Sequence, residues 1–328
     1  MSVDYIDLNF LGSDCVIATA VLAGTDGVTL VDPGPTSCLA TLEAGLRHRG
    51  YALRDVRNVL LTHIHLDHAG AAGTLAERVP GIRIFVHERG APHMIDPAKL
   101  LSSATRLYGD RMDLLWGAFQ AVPADQVVVL KGGEQLDLAG RAVRVAYTPG
   151  HAKHHVSYLD DASGVAYVGD TAGVRVSGEF LIAPTPPPDI DIEAWQASVD
   201  TIDAWQPVTL FLTHFGPVTP ARAHLARFRT TLAAAAASAR DLLEHGGTDE
   251  EMAHRFAERM RVEVRKSLPE HEARAAELAA PFDQLFLGLQ RYWQKRPPPV
   301  TDYTATASIV DVGTTCAWAC GSTRKRSA

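Results

Sequence analysis

The chain predicts an α/β fold in which two hydrophobic sheets stack and helices cover their outer faces. Three observations predict it. Short β-branched runs alternate with helical stretches over the first two-thirds of the sequence. Most of those runs are apolar enough to be buried on both faces, and Gly or Pro punctuates the junctions between them. With 328 residues, 46% of them hydrophobic, the chain can bury one large core. That excludes a disordered chain, a collagen-like rod and a cysteine-stapled miniprotein.

Taken in order, strands are expected over residues 15–22, 28–31, 56–62, 82–86, 127–130, 142–147, 155–159, 165–168 and 208–212. Helices are expected over 37–49, with Thr36 as N-cap, and over 69–77 and 192–205. Residues 1–219 therefore read as a catalytic domain. Inside it, residues 88–122 read as a helical insertion, helical over 96–121. Its Tyr108, Met112, Trp116 and Phe119 suit either core packing or a lid that meets an apolar acyl group. From Pro220 to residue 296 the pattern turns Ala-, Arg-, Glu- and Leu-rich with no strand signal, broken at Gly246-Gly247 and near Pro269, so a helical C-terminal region follows. Residues 297–328 lose periodicity and are expected to form a mobile tail; Cys316 and Cys320 fall in it as inert residues.

Lys and Arg total 31 against 38 Asp and Glu, a net charge of −7. This disfavours a surface built to neutralise phosphates, so no nucleic-acid partner is expected. No run approaches the roughly 18 apolar residues of a spanning helix, and the first residues lack a basic stretch followed by an apolar one. A cytoplasmic protein with reduced thiols, no membrane partner and a small-molecule substrate is the expectation.

The sharpest feature is the run Thr62-His63-Ile64-His65-Leu66-Asp67-His68-Ala69-Gly70, entered from an apolar strand. In extended backbone, residues two apart point the same way, so His63 and His65 can face one ion while the following turn swings Asp67 and His68 toward a second. Three histidines and an aspartate in six residues cost too much as unpaired buried polar groups unless something coordinates them. Further along, His151, Asp170 and His214 each follow an apolar strand directly, in Thr148-Pro149-Gly150-His151, Gly169-Asp170 and Thr213-His214. Singly, each would be an ordinary capping or hydrogen-bonded residue. Together they are ligands held at strand ends, as a preorganised site requires.

These segments, in this order, resemble the metallo-β-lactamase superfamily, in particular its dinuclear hydrolases of the glyoxalase II-like kind. The resemblance spans about residues 10 to 216 and implies an αββα sandwich with metals at one sheet edge. Carried over by position, it implies that His63, His65 and His151 hold one metal, that Asp67, His68 and His214 hold another, and that Asp170 bridges the two. It also implies that Asp32, in Val31-Asp32-Pro33-Gly34, supports the ligands without binding metal. Class B3 β-lactamases lack the bridging aspartate, and the flavodiiron members carry glutamate where His65 stands, so neither activity is the expected one.

The cofactors expected are two divalent ions, with Zn²⁺ suited to the imidazole and carboxylate set and Mn²⁺ or Fe²⁺ also compatible. The expected reaction is attack by a hydroxide held between them on the carbonyl of a thioester, ester or lactone, with Asp67 as the catalytic residue that orients it. Two alternatives share the fold: a mononuclear iron enzyme of the persulfide dioxygenase kind, and a phosphodiesterase or nuclease using the same metal pair. His155 is expected to orient a ligand by a hydrogen bond, and His154 to face solvent. His48, His87, His93, His224, His245, His254 and His271 are expected in surface or packing roles. The proline-rich stretch at residues 184–188 reads as a cleft rim or a plain linker. Arg255, Arg259, Arg291, Tyr292 and Lys295 could grip a glutathione moiety or simply be solvated.

Overall fold

Residues two apart on a strand face the same side, and here both sides are apolar, so each sheet must be covered twice. A computed structural model describes residues 3–176, 178 and 180–296. The first sheet comprises β1 (Tyr5–Asp7), β2 (Ala18–Ala23), β3 (Val28–Val31), β4 (Val56–Leu60), β5 (Arg83–His87) and β6 (Val127–Leu130), side by side in that order. Helices α1 (Leu39–His48), α2 (Leu66–Ala69), α3 (Ala72–Arg78), α4 (Ala91–Ile95), α5 (Ala98–Tyr108) and α6 (Met112–Trp116) connect its strands. The second sheet comprises β7 (Gln135–Leu138), β8 (Arg141–Tyr147), β9 (Val156–Asp160), β10 (Val165–Tyr167), β11 (Thr209–Leu212) and β12 (Gly216–Val218), again in consecutive spatial order.

One buried cluster joins the facing sides of the sheets. Ala18, Ala20 and Leu22 of β2 share it with Val143 and Val145 of β8 and with Val156 and Tyr158 of β9. The Tyr158 hydroxyl donates to the Leu61 carbonyl at 2.7 Å and pins one sheet to the other. The opposite faces contribute Val21, Leu30, Val59 and Ile84 to a second cluster, completed by Leu42 and Leu46 of α1 and Leu75 of α3. Fully burying each such leucine contributes roughly 1.5–3 kcal/mol.

Past α7 (Ile192–Ala204) come α8 (Ala221–His245), α9 (Asp249–Ser267), α10 (Glu270–Ala279) and α11 (Phe282–Gln294). On α8, Leu225, Phe228, Leu232, Ala236, Ala239 and Leu242 recur at intervals of three and four and form its buried stripe. Thr248 caps α9 by accepting from the Glu251 amide, and the Glu251 side chain accepts in return from the Thr248 amide. Among the described residues no helix is long and apolar enough to cross a membrane.

Several expected boundaries move. The strand placed at 15–22 starts at Ala18, because Cys15 takes a left-handed φ of 62° and breaks the extended run. Thr36 does not cap α1; it lies in a short 3₁₀ turn and its hydroxyl donates to the Gly70 carbonyl. The helix expected over 69–77 is two, α2 and α3, and the one over 96–121 is α5 and α6 with an irregular exit. Gly109 and Gly117 carry positive φ at those ends. Strands β1, β7 and β12 escape notice because each is three or four residues long and two of them are broken by polar or Gly-Pro positions. The breaks at Gly246-Gly247 and Pro269 are present, and Pro281 adds another before α11. The expected tail at 297–328, with Cys316 and Cys320, lies outside the described residues.

Candidate metal centre

Strands β8, β10 and β11 run the same way, since β8 and β10 each pair antiparallel with β9 and β11 pairs parallel with β10. Their C-terminal ends therefore share one edge. His151, Asp170 and His214 follow those three ends, and the run from His63 to His68 leaves β4 of the other sheet toward the same edge. Glycines make the tight exits possible. Gly150 has φ +134°, and a Cβ there would lie 2.3 Å from the Cα of Trp195.

Two groups of donor atoms result. Nδ1 of His65 lies 2.9 Å from Nε2 of His63 and 3.0 Å from Nε2 of His151. In the second group, Nε2 of His214 lies 3.3 Å from Nε2 of His68 and 3.3 Å from Oδ2 of Asp67. Asp170 stands between them. Its Oδ2 is 3.4 Å from His151 Nε2, while its Oδ1 is 3.3 Å from His68 Nε2 and 3.6 Å from His214 Nε2. All seven residues named from the sequence thus come together.

The outer ring nitrogens explain why these atoms are lone pairs rather than donors. Nδ1 of His151 donates to the Pro184 carbonyl, Nδ1 of His214 to the Val16 carbonyl, and Nδ1 of His68 to Asp32. The Thr62 hydroxyl gives its proton to Asp32, so it accepts from Nδ1 of His63. The inner nitrogens of His63 and His151 are then lone pairs, and those of His68 and His214 become so once a cation displaces their proton.

Asp32 holds this arrangement from behind. It is fully buried, has φ 50° and accepts from the Thr62 amide, the Thr62 and Thr213 hydroxyls and His68, all at 2.7–2.8 Å. Four donors offset the desolvation of its charge. A sequence signal for this existed: the dipeptide Thr-His ends both β4 and β11, and both threonines reach the same carboxylate.

Burial pushes the imidazoles of His63, His65 and His151 down, His65 to about 3, so they are neutral. In the second group burial acts the same way but loses. The Asp67, Asp170 and Asp32 carboxylates hold His68 well up, and Asp170 and Asp67 raise His214. In return, although burial opposes it, His68 and His214 keep Asp67 ionised at about 2, and His68, His151 and His214 keep Asp170 well below the usual range.

These residues fit a pair of divalent ions. Tetrahedral zinc with Zn–N bonds of about 2.0–2.1 Å places neighbouring ligand atoms roughly 3.3 Å apart; the nearest donor pairs here lie 2.9–3.7 Å apart, and within each candidate group all lie within 4.8 Å of one another. Oδ1 of Asp170 is buried with no hydrogen-bond partner, an expense that a cation would relieve.

His154 is half-buried rather than fully solvent-facing. Its Nδ1 accepts from the Ile64 amide at 3.4 Å, its ring stands edge-on to His65 at 5.8 Å, and it lines the cleft above the donor atoms. The adjacent His65 loop covers it, which spacing along the chain does not reveal. His155 makes no hydrogen bond to a candidate ligand among the described residues; it pairs with Thr148 and Thr171 and stacks on His63 at 5.0 Å. It supports that ring by packing instead. His93 lines the cleft, and His87 ends β5, buried and stacked on Tyr147. Pro184, Pro186, Pro187 and Pro188 form a rim, as one reading of that stretch proposes.

Comparison with known proteins bears on the family and the fold. The family model described as the metallo-beta-lactamase superfamily matches residues 12–214. A metallo-beta-lactamase fold-containing protein of Sulfurisphaera tokodaii is 30% identical over 208 residues, 62% of this chain and 75% of that protein. A hydroxyacylglutathione hydrolase of a Synechococcus species is 32% identical over 110 residues, 34% of this chain and 32% of its own length. A solved archaeal metallo-beta-lactamase superfamily protein from Sulfolobus tokodaii superposes with a TM-score of 0.61 at 20% identity, covering 88% of this chain and 98% of that one; at that identity the likeness is one of fold.

Proposed function

The chain belongs to the metallo-beta-lactamase superfamily, and from that premise we propose that it is a hydrolase that uses two divalent cations to cleave esters, thioesters or lactones. One observation carries the reading: Asp170 turns one carboxylate oxygen toward each group of donors. His63, His65 and His151 would hold one ion, Asp67, His68 and His214 the other, and Asp170 both. When bound, such a pair supplies Lewis acidity that brings the pKa of water toward neutrality and polarises a carbonyl oxygen.

The remaining chemistry belongs to the chain. Asp67, ionised and open to the cleft over 23% of its side chain, accepts a hydrogen bond from the attacking water and so aims its lone pair at the carbonyl carbon. The buried imidazoles keep their positions through the outer hydrogen bonds described above, so little reorganisation accompanies reaction. No side-chain nucleophile is required; Cys15 and Cys38 lie outside the cleft. The thioester option draws support from the hydroxyacylglutathione hydrolase relative.

Metal analysis paired with a panel of aryl ester, lactone, acylglutathione, β-lactam and phosphodiester substrates tests the proposal. We expect two metals per chain and fastest turnover on an acyl substrate, with Asp67→Ala folded but inactive. One iron per chain, or faster cleavage of bis-p-nitrophenyl phosphate than of any acyl compound, would overturn it.

A further inference from the structure

The cavity of about 290 Å³ over the donor groups is lined by His65, Asp67, His151 and Asp170 on its polar side and by apolar side chains elsewhere. One part of the apolar lining comes from Leu100 and Leu107 of α5 and Trp116 of α6, another from Leu278, Pro281 and Leu285 at the junction of α10 and α11. The first wall is rigidly backed, since Trp116 stacks on Phe10 at 5.6 Å and meets the Tyr108 ring edge-on at 5.1 Å. An apolar surface held this way needs little ordering when an apolar ligand arrives.

Charge is scarce there. Apart from Asp67 and Asp170, the acids and bases lining the cavity among the described residues are Lys99, Asp189 and histidines. Asp189 is paired with Lys153 at 2.9 Å. The five side chains that the sequence offered for a glutathione moiety are elsewhere. None of Arg255, Arg259, Arg291, Tyr292 and Lys295 lines the cavity; Arg259 pairs with Asp241 at 2.8 Å and Tyr292 donates to Glu193. A glutathione portion brings two carboxylates and an ammonium, and one exposed lysine is a poor match for three charges.

We propose that this cavity binds an uncharged, apolar acyl chain laid between α5 and the α10–α11 junction, so that the substrate is an ester, thioester or lactone of such a chain rather than an acylglutathione. The inference rests on the hydrolase reading for its reaction, but its binding claim stands apart. Each methylene buried contributes about 0.8 kcal/mol, close to fourfold in affinity.

The test is to titrate the metal-loaded full chain with acetanilide and octananilide, which share an anilide and differ in chain length. Octananilide should bind at least tenfold more tightly. Leu107→Glu, and independently Leu278→Glu in the lining supplied by α10, should abolish that preference while the metal content stays unchanged. Equal binding of the two anilides overturns the proposal. So does a preference that survives both substitutions, which would put the chain in the separate apolar groove between α8 and α9 near Ala235, Phe256 and Met260. Faster hydrolysis of S-lactoylglutathione than of phenyl octanoate also overturns it and leaves the hydrolase reading standing. Conversely, tight octananilide binding with no ester turnover would support the cavity assignment and break the hydrolase reading.

Discussion

The floor and the walls of the cleft follow opposite rules. The floor is polar, largely buried and assembled from side chains that sit two to eight residues beyond a strand end, three of them tied by the far ring nitrogen to a backbone carbonyl or to Asp32. The walls are apolar and come from segments far apart in the chain: α5 and α6, the prolines at 184–188, and the turn between α10 and α11. Chemistry demands the first arrangement, because a ligand that drifts loses its ion. Recognition tolerates the second, because hydrophobic contact is non-directional. Substitutions should therefore separate cleanly, with floor changes altering metal content and wall changes altering selectivity or stability.

The largest effect is expected at Asp170. Asp170→Ala removes a carboxylate that faces both sets of donors, and kcat/KM should fall by about 10³ or more, since metal assistance is worth several kcal/mol. Elemental analysis should find fewer than two metals; retention of both with full activity would erase the distinction between floor and walls. A smaller effect is expected one layer back. Asp32→Asn puts an amide against donors from Thr62, Thr213 and His68 and should weaken metal binding roughly 10–100-fold, measured by chelator competition. The smallest effect belongs to the walls. A Cβ on Gly288 of α11 would lie 2.0 Å from the Thr185 carbonyl oxygen, so Gly288→Ala should cost about 1–3 kcal/mol, read as a lower Tm. Its metal content should be that of the parent chain, and a loss of metal there would show that the rim and the floor move together.

Legibility in the sequence divides along the same line. His63, His65, Asp67 and His68 are conspicuous because a strand-to-helix junction confines them to six residues. His151, Asp170 and His214 are visible because each follows an apolar run. The strands themselves are found where β-branched residues cluster, and lost at β1, β7 and β12, where three or four residues offer too little pattern. His154 misleads, because its neighbours in space are Ile64 and His65, ninety residues earlier in the chain. Arg255, Arg259, Arg291, Tyr292 and Lys295 invite a binding role that their positions outside the cavity do not support, and Arg259 and Tyr292 already hold partners of their own.

Local order along the chain was enough to indicate two stacked sheets under helices and the candidate donor residues, since strand periodicity and short motifs act over a few residues. Which walls close over those atoms followed from folding. The meeting of α5 with the α10–α11 turn depends on packing between segments more than 150 residues apart, and hydrophobic surfaces carry no label naming their partner.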